Sequence, residues 1–386
     1  MESWSETGSI LQILSEDLDN GKVLYRSFST TNVTSINDNK TNYYWKSLSF
    51  MTRKMRELHT NGAANFFAKV EHENRHPEFY SERLFTEPTN SELLRLTLSK
   101  IKEKAKLMYI SRFVHEQWIL IFDIKEEFSS SLWRYKQIIP PNDRFWADPH
   151  IIQRNNKYYI FIEEFIYDVG KGNISLIIMD EDGSYSEPEI ILEKPYHLSY
   201  PHVIEHEGKT FMVPETMDNN TVELYECTEF PYKWEFKMNL MENIKAVDAT
   251  LFQHNGKWWM FANVLEHENM SSFDELCLFS SDTLLSTDWQ PHPMNPVISD
   301  CKQARPGGEI FVQNGRIYRP SQDCSKRYGY GFNISEISEL TDERYSEEVV
   351  TRVKPNWDKK IVATHTFNRV GNLHIADAMR QRKYKT

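Results

Sequence analysis

The chain has 386 residues, of which 40% are hydrophobic and 26% charged, with a net charge of −11. This size allows one large domain or two ordinary ones with substantial cores. The acidic charge argues against nucleic acid as a partner, because phosphate binding needs a basic surface. No stretch approaches the roughly 20 apolar residues of a membrane span, so we expect at most peripheral contact with a membrane.

Two further features of the composition indicate the compartment and the class of protein. The N-terminal stretch MESWSETGSILQIL lacks the basic region of a secretory signal, and the four cysteines form no C-x-x-C pair. We therefore expect reduced thiols and a cytoplasmic location. Aromatic residues make up 13% of the chain. This content fits a large β core and also fits surfaces that stack on sugars.

Residues 1–110 are predicted to form a small α-rich N-terminal extension. The segment YYWKSLSFMTRKMRELHTNG has apolar residues at helical spacing, and we expect its helix to end at Gly62. The segment SELLRLTLSKIKEKAKLMY reads as a second amphipathic helix, with Ser91 as its N-cap.

Residues 111–386 repeat one hairpin five times. Each copy has a tight turn followed by an aromatic or β-branched strand, as in NNKYYIFIEE and NGKWWMFAN. The second turn residues are Asn156, Gly208, Gly256, Gly315 and Gly371, spaced 48 to 59 residues apart. Five units with this period predict a mainly β fold, a five-bladed β-propeller, since each blade needs about four strands.

The two ends of the repeat predict how the ring closes. The last hairpin finishes near Ala378, which leaves the fifth blade two strands short. Upstream of the first repeat lie two strand-like runs, Glu116–Ile124 and Leu132–Ile139. We expect these N-terminal strands to complete the fifth blade, which removes the exposed sheet edge.

Polar residues recur at fixed places in the five hairpins. Strand side chains alternate between two faces, so positions eight and six before the second turn residue are expected to face the central channel. Position eight holds Asp148, Tyr200, Asp248, Gly307 and Ala363, and position six holds His150, His202, Thr250, Glu309 and His365. Seven residues after the turn come Glu163, Glu215, Asn263 and Gln322, with Glu164 and Asp323 adjacent. We expect these groups to form one shared pocket at the channel rim.

Simpler explanations stay open for each residue alone. Polar groups in a propeller channel often bind only water or neighbouring backbone, which explains a single histidine equally well. The histidines and carboxylates lack the spacing of known metal sites, and the chain has no phosphate-loop or dinucleotide motif. We therefore expect neither a metal nor a cofactor.

Asp148 in WADPH and Asp248 in VDATLF resemble residues of the five-bladed glycoside hydrolases of the arabinanase, xylosidase and invertase type. The resemblance implies that the first-blade aspartate is a base or nucleophile and that the third-blade aspartate positions the acid. In that family the acid is a fourth-blade glutamate. Here Gly307 occupies the blade 4 position that is equivalent to Asp148 and Asp248, and Glu309 lies two residues later in the sequence.

A second resemblance covers residues from Arg144 to the C-terminus. The stretches FWADPHII, HLSYPHVIEHEGKTFMVPET and ARPGGEIFVQNGRIYRPSQDCSKRYG resemble the N-terminal propeller of glucosamine inositolphosphorylceramide transferases and related stand-alone bacterial proteins. This resemblance implies a role in the assembly of a surface glycan or glycolipid.

The function predicted from the sequence is that of a carbohydrate-active enzyme acting at a glycosidic centre, either a glycosyltransferase or a glycosidase-like enzyme. Its partners would be a nucleotide-sugar or phospho-sugar donor and a glycan or glycolipid acceptor. The predicted catalytic groups are Asp148 as base or nucleophile, Asp248 as its electrostatic partner, and Glu309 or Glu215 as proton donor. The predicted binding groups are Arg305, His202 and His365 for hydroxyl or phosphate, Trp146 and Tyr200 for stacking, and His150, Glu164, Gln322 and Asp323 at the rim. The alternative is a glycan-binding propeller without catalysis.

Overall fold

A computed structural model describes residues 4–14, 16, 21–76, 87–127 and 131–383. The chain divides into two units. The first comprises residues up to His115 together with His267–Ser271, and the second comprises Glu116–Glu266 and Ser272–Lys383. The predicted domain boundary at residue 110 stays a prediction. No helix in these described ranges is long and apolar enough to cross a membrane.

The first unit contains two helices and a small sheet that was not predicted. The elements are β1 (Glu6–Ile13), β2 (Lys22–Thr30), α1 (Ile36–Glu73) and α2 (Asn90–Phe113), and β1 pairs antiparallel with β2. Gly62 interrupts α1 with φ +74°, but helical residues resume beyond it, so the predicted helix end is only a kink. The N-cap of α2 is Thr89 rather than Ser91, because Thr89 and Glu92 form a reciprocal capping box.

The second unit is a five-bladed β-propeller, as predicted. Blade 1 contains β5 (Arg144–Arg154), β6 (Lys157–Ile166), β7 (Lys171–Asp180) and β8 (Glu189–Leu192). Blade 2 contains β9 (Ser199–His206), β10 (Lys209–Glu215), β11 (Thr221–Glu229) and β12 (Lys233–Glu242). Blade 3 contains β13 (Ala246–His254), β14 (Lys257–Val264), β15 (Glu275–Ser281), β16 (Gln290–Pro291) and β17 (Ile298–Ser299). Blade 4 contains β18 (Phe311–Gln313), β19 (Arg316–Asp323), β20 (Gly331–Leu340) and β21 (Tyr345–Val353).

Blade 5 closes the ring with N-terminal strands. Its elements are β22 (Ile361–Ala363), β23 (Phe367–Val370), β24 (Leu373–Lys383), β3 (Val114–Ile124) and β4 (Lys136–Ile138), in the sheet order β22-β24-β3-β4 with β23 also paired to β24. The closure predicted from the sequence is therefore confirmed. The second predicted run is shorter than expected, since Leu132–Arg134 forms a single 3₁₀ turn before β4.

The repeated turns have the backbone that their residues favour. In four of the five hairpins both central residues have positive φ, as in Asn255 (51°) and Gly256 (79°). This conformation matches the twist of the flanking strands, and Asn and Gly tolerate it best. The turns therefore fix the first two strands of those blades locally.

The aromatic side chains mainly fill the spaces between blades. Separate buried clusters join blade 1 to blade 2, blade 2 to blade 3, and so on around the ring. Trp258, for example, is 5% exposed between blades 2 and 3, and Trp234 is 8% exposed between blades 1 and 2. The high aromatic content is thus largely explained by packing.

Candidate active site in the propeller channel

Three blades share the same irregularity in their first strand. The register between the first two strands shifts by one residue at Asp148 in blade 1, Tyr200 in blade 2 and Asp248 in blade 3. These residues have φ values of 51°, 43° and 53°. Positive φ is tolerated by aspartate but is a genuine outlier for tyrosine. A bulge of this kind re-aims side chains and recurs near active sites.

Asp248 is held by a buried arginine. Arg305 Nε donates to Asp248 Oδ2 over 2.6 Å and Nη2 donates to Oδ1 over 3.2 Å. The amide of Gln322 donates a third hydrogen bond to Asp248 over 2.8 Å. The guanidinium also lies 3.6 Å from Glu215 Oε2 and 5.0 Å from the centre of the Tyr328 ring. Asp248 is thus fixed in position.

Asp148 belongs to a second network, which joins blade 1 to blade 5. Its backbone N–H donates to Asp377, and the imidazole of His365 lies 3.5 Å from its Oδ1. The other imidazole nitrogen forms a 2.6 Å ion pair with Asp377, which also accepts hydrogen bonds from the backbone N–H groups of His365 and Thr366. Trp118 stacks on His365 at 4.2 Å. Asp377 therefore orients both the Asp148 bulge and the imidazole.

The histidine and the Asp377 carboxyl of this network stabilise each other's charged form. Burial by itself lowers the pKa of His365, but Asp377 and Asp148 raise it above its ordinary value overall. Burial by itself raises the pKa of Asp377, whereas His365 and the hydrogen bonds lower it overall. The ligand atoms of Asp148, His365 and Asp377 all lie within 4.8 Å of one another, a spacing that could hold a metal ion. Because His365 already supplies the positive charge, we treat the trio as an ion-pair network.

Five carboxyl groups crowd this part of the channel. We call Asp148, Glu163, Glu215, Asp248 and Asp377, with Arg305 and His365, the channel cluster. Burial first, and then the charges of Asp248 and Asp377, raise the pKa of Asp148 to about 7. Burial and the neighbouring carboxylates also raise the pKa of Glu163 and Glu215 well above the ordinary value. Crowded buried carboxyls cannot all ionise, so some keep a proton at neutral pH.

Several buried polar atoms of the channel have no hydrogen-bond partner within the part of the chain that the structure describes. They are Asp148 Oδ1, His150 Nε2, His202 Nδ1, Glu215 Oε2 and Asn263 Oδ1. Leaving a buried polar atom unpaired costs on the order of 1–3 kcal/mol. Such a concentration is typical of a site that binds water or a polar ligand.

His150 and His202, unlike His365, are neutral at physiological pH. Burial lowers the pKa of His202 to about 4, and burial together with His202 lowers the pKa of His150 well below its ordinary value. His202 contacts the Leu251 carbonyl through Nε2 at 3.1 Å, and His150 contacts the Asp148 carbonyl through Nδ1 at 3.3 Å. If those nitrogens carry the proton, the remaining nitrogen of each ring is an acceptor for a hydroxyl group.

Blade 4 supplies glycines where blades 1 and 3 supply aspartates. A Cβ on Gly308 would lie 2.1 Å from the Phe367 carbonyl oxygen, and φ at Gly308 is +143°. Blade 5 approaches too closely for any side chain there. Glu309 follows, with its N–H bonded to Asn368. Burial raises the pKa of Glu309 to about 8, and no neighbouring carboxylate contributes, unlike at Glu215.

Four of the predicted binding residues are buried, and their polar groups are hydrogen-bonded to other parts of the protein. Trp146 is 4% exposed in the core between blades 5 and 1, and its indole N–H donates to Glu164. Glu164 also accepts from Arg144 and Ser175. The Tyr200 ring is fully buried, and its hydroxyl bonds Thr250 and the Gly308 backbone. Asp323 accepts from the Ser325 backbone. Neither Trp146 nor Tyr200 has a free face for a sugar, so the stacking predicted for them does not fit this structure.

Most of the remaining predicted residues come together. The channel cluster contains Asp148, Glu215, Asp248, Arg305 and His365. Gln322 donates to Asp248 in this cluster, and His150 and His202 lie beside it. Their chemical roles stay predictions. Glu163 was expected in the shared pocket but was given no chemical role, whereas Asp377 and Tyr328 were not predicted. The signal for Asp377 was a single acid inside the apolar strand LHIADAM. Burial and the charges of Asp148, Asp248 and Glu163 raise the pKa of Tyr328, which places its phenol beside them.

Comparisons with known proteins agree with the resemblance seen in the motifs. The chain is 32% identical over 206 residues to glucosamine inositolphosphorylceramide transferase 1 of Oryza sativa subsp. japonica, and 30% identical over 212 residues to that of Arabidopsis thaliana. These matches cover 53% and 54% of this chain and 27% of each relative. The chain thus spans about a quarter of the length of the curated relatives it matches.

Solved structures with a similar backbone include two glycoside hydrolases. The catalytic domain of the Coprinopsis cinerea GH62 α-L-arabinofuranosidase has a TM-score of 0.46 at 10% identity, covering 62% of this chain and 92% of that one. Zg3597, a family 117 glycoside hydrolase of Zobellia galactanivorans, has a TM-score of 0.45 at 12% identity, covering 68% and 91%. Residues 136–382, which include all five blades apart from β3, match the profile of one family. The chain therefore belongs to the family described as glucosamine inositolphosphorylceramide transferase 1, N-terminal.

Proposed function

We propose that the chain is a carbohydrate-active enzyme that acts at a glycosidic centre bound in the propeller channel. One observation carries this proposal. Asp148 Oδ1 and Glu215 Oε2 are buried, lack a hydrogen-bond partner among the described residues, and belong to carboxyls whose pKa is raised. Each of these oxygens faces a cation only at the longer distances of 3.5 Å (His365) and 3.6 Å (Arg305), whereas the Asp248 carboxylate accepts short hydrogen bonds from Arg305 and Gln322. Buried carboxyls that have a raised pKa and an oxygen without a hydrogen bond are typical of acid–base chemistry.

The reaction needs one carboxyl at the anomeric carbon and another to handle the proton. We assign the first role to Asp148, as base or nucleophile, because its pKa of about 7 allows it to lose and regain a proton near neutrality. Glu215 is the proton donor, because burial and the neighbouring carboxylates raise its pKa and so favour its protonated form. We prefer Glu215 to Glu309 because Glu215 shares the Arg305 and Asp248 network.

The other members of the cluster would position these two groups. Asp248, held in position by Arg305, would stabilise the developing positive charge on the sugar ring. Asp377 and His365 hold the bulge that carries Asp148. His150 and His202 would accept hydrogen bonds from sugar hydroxyls through their unpaired nitrogens.

We further propose glycosyl transfer from a nucleotide-sugar or phospho-sugar to a glycan or glycolipid acceptor, as a step in surface polysaccharide or glycolipid assembly. The support is the name of the curated relatives, glucosamine inositolphosphorylceramide transferase 1, which describes a transferase with a sugar and a lipid in its name. We place the reaction in the cytoplasm. In that compartment the four free cysteines, all within the described ranges, would stay reduced.

A glycan-binding propeller without catalysis is the second candidate. The neutral imidazoles of His150 and His202 and the unpaired amide oxygen of Asn263 are suited to binding hydroxyl groups whether or not a bond is broken.

A turnover screen separates the two candidates. The protein is incubated with panels of nucleotide-sugars, phospho-sugars and aryl glycosides, with and without glycolipid acceptors, and product release is followed. We expect at least one donor to be converted, and Asp148→Asn and Glu215→Gln each to reduce the rate by at least ~10²-fold with the donor still bound. Glu309→Gln is the matched control and should retain most of the rate. Binding without conversion by the unmodified protein would favour the second candidate.

A further inference from the structure

A second cavity lies at the outer edge of blade 5, away from the channel cluster. Its volume is about 540 Å³. One wall is formed by the closing segment around the 3₁₀ turn and β4, and the other by the loop between β21 and β22. The lining residues that matter for its chemistry are Trp133, Tyr135, Gln137, Trp357, Lys359 and Lys360. None of them belongs to the channel cluster.

One aromatic side chain in the lining of this cavity, Trp133, is unusually accessible. Trp133 is 65% exposed, whereas most tryptophans of the propeller pack between blades. The Arg134 guanidinium lies 4.7 Å from the centre of the Trp133 ring and covers part of it. Trp357 is half-buried against the core between blades 4 and 5. An indole face that stays in water, next to a cavity, is suited to stacking on the apolar face of a sugar ring.

The polar lining is basic in an acidic protein. Lys359 and Lys360 are exposed, and the structure gives neither an ion-pair partner within its described ranges. The Asp358 carboxylate also lines the cavity and accepts the backbone N–H of Lys360 over 2.8 Å, so the side chains of residues 358–360 carry two positive charges against one negative charge. Gln137 accepts from Arg380 over 3.2 Å, which leaves its NH₂ group as a donor. Two unpaired ammonium groups in a chain of net charge −11 favour an anionic ligand.

We propose that this cavity binds an anionic saccharide, with Trp133 stacking on a sugar ring and Lys359 and Lys360 meeting its carboxylate or phosphate groups. A cavity of this volume is in the ordinary range for small-molecule sites and accommodates about two or three sugar residues. The site is independent of catalysis in the channel. It would hold an acidic glycan on the outside of the propeller.

Binding of trigalacturonate tests the proposal, with titration calorimetry and tryptophan fluorescence as readouts and neutral maltotriose as the uncharged probe. We expect trigalacturonate to bind, and its affinity to fall as the salt concentration rises, because salt screens the exposed lysine contacts. Maltotriose should bind at least about tenfold more weakly. Inorganic phosphate should compete with trigalacturonate. Equal binding of the two saccharides would overturn the role of the lysines.

Matched variants locate the site. Trp133→Ala, and Lys359→Ser combined with Lys360→Ser, should each weaken trigalacturonate binding by about tenfold or more without lowering the melting temperature. Tyr232→Ala combined with Lys233→Ser changes an exposed aromatic–lysine pair on blade 2 and should leave binding unchanged. Asp148→Asn should also leave it unchanged. Absence of binding, or binding lost in Asp148→Asn but kept in Trp133→Ala, would refute the proposal.

Discussion

Replacing Asp248 with asparagine should destabilise the propeller by leaving Arg305 buried without its counter-ion. The side chains of Arg305 and Asp248 are 8% and 2% exposed, and two hydrogen bonds of 2.6 and 3.2 Å join them. Breaking a buried pair by removing one partner costs about 3–5 kcal/mol. Glu215 lies 3.6 Å from the guanidinium, and without Asp248 it can ionise and restore part of the balance. We therefore expect a loss near the lower limit, roughly 3 kcal/mol, measured by urea unfolding at pH 7.

A second substitution tests whether the buried charge is the cause. Adding Arg305→Met to Asp248→Asn removes the charge as well, so most of the lost stability should return, with a coupling of about 2 kcal/mol or more. Asp323→Asn is the matched control. That carboxylate is 7% exposed but has no ion-pair partner within the described part of the chain, so its loss should be about 1 kcal/mol. A loss below about 1 kcal/mol for Asp248→Asn, or a further loss on adding Arg305→Met, would refute the reasoning.

Three further predictions concern the ionisation, the backbone and the closure of the propeller. The folded-state pKa of Asp148 is raised from 3.8 to about 7, so this group makes the protein less stable as pH rises from about 4 to about 7. Relative to Asp148→Asn, the unmodified protein should lose at most roughly 4 kcal/mol of unfolding free energy across that window, and a gain would contradict the assignment. Gly308→Ala should cost roughly 3 kcal/mol or more from strain and overlap with Phe367, whereas Gly208→Ala, with open space around its Cβ, should cost about 1 kcal/mol. Deleting Glu116–Ile139 should abolish cooperative unfolding of the propeller, because blade 5 would lose its outer strands; a cooperative melt near the parent temperature would exclude this.

The architecture was predictable because its determinants are local. A turn such as Asn255-Gly256 has few conformations available, and those conformations produce a tight hairpin. Repetition of that hairpin indicates the number of blades, and the two strand-like runs at Glu116–Ile139 show how the ring closes. The sheet at Glu6–Thr30 was missed because it carries no such repeat.

The placement of individual side chains was less predictable because it depends on the bulge. Simple alternation puts Trp146, Asp148 and His150 on one face of their strand. The extra residue at Asp148 reverses the alternation, so Trp146 packs in the core between blades 5 and 1 instead of lining the channel. The local sequence marks the bulge only weakly, through Pro149, which directly follows Asp148. The bulge is set by long-range contacts such as the hydrogen bond from Asp148 to Asp377, 229 residues away.

The central claim is that Asp148 and Glu215 are poised to exchange protons with a bound sugar. Titration of their side-chain carboxyl ¹³C resonances, assigned with Asp148→Asn and Glu215→Gln, tests this claim most directly. The structure predicts that Asp148 titrates near pH 7 and that Glu215 stays protonated well above the ordinary carboxyl range. A saccharide that binds in the channel should shift both resonances. If both groups titrate near the model-peptide value of about 4, with or without saccharide, the claim is contradicted.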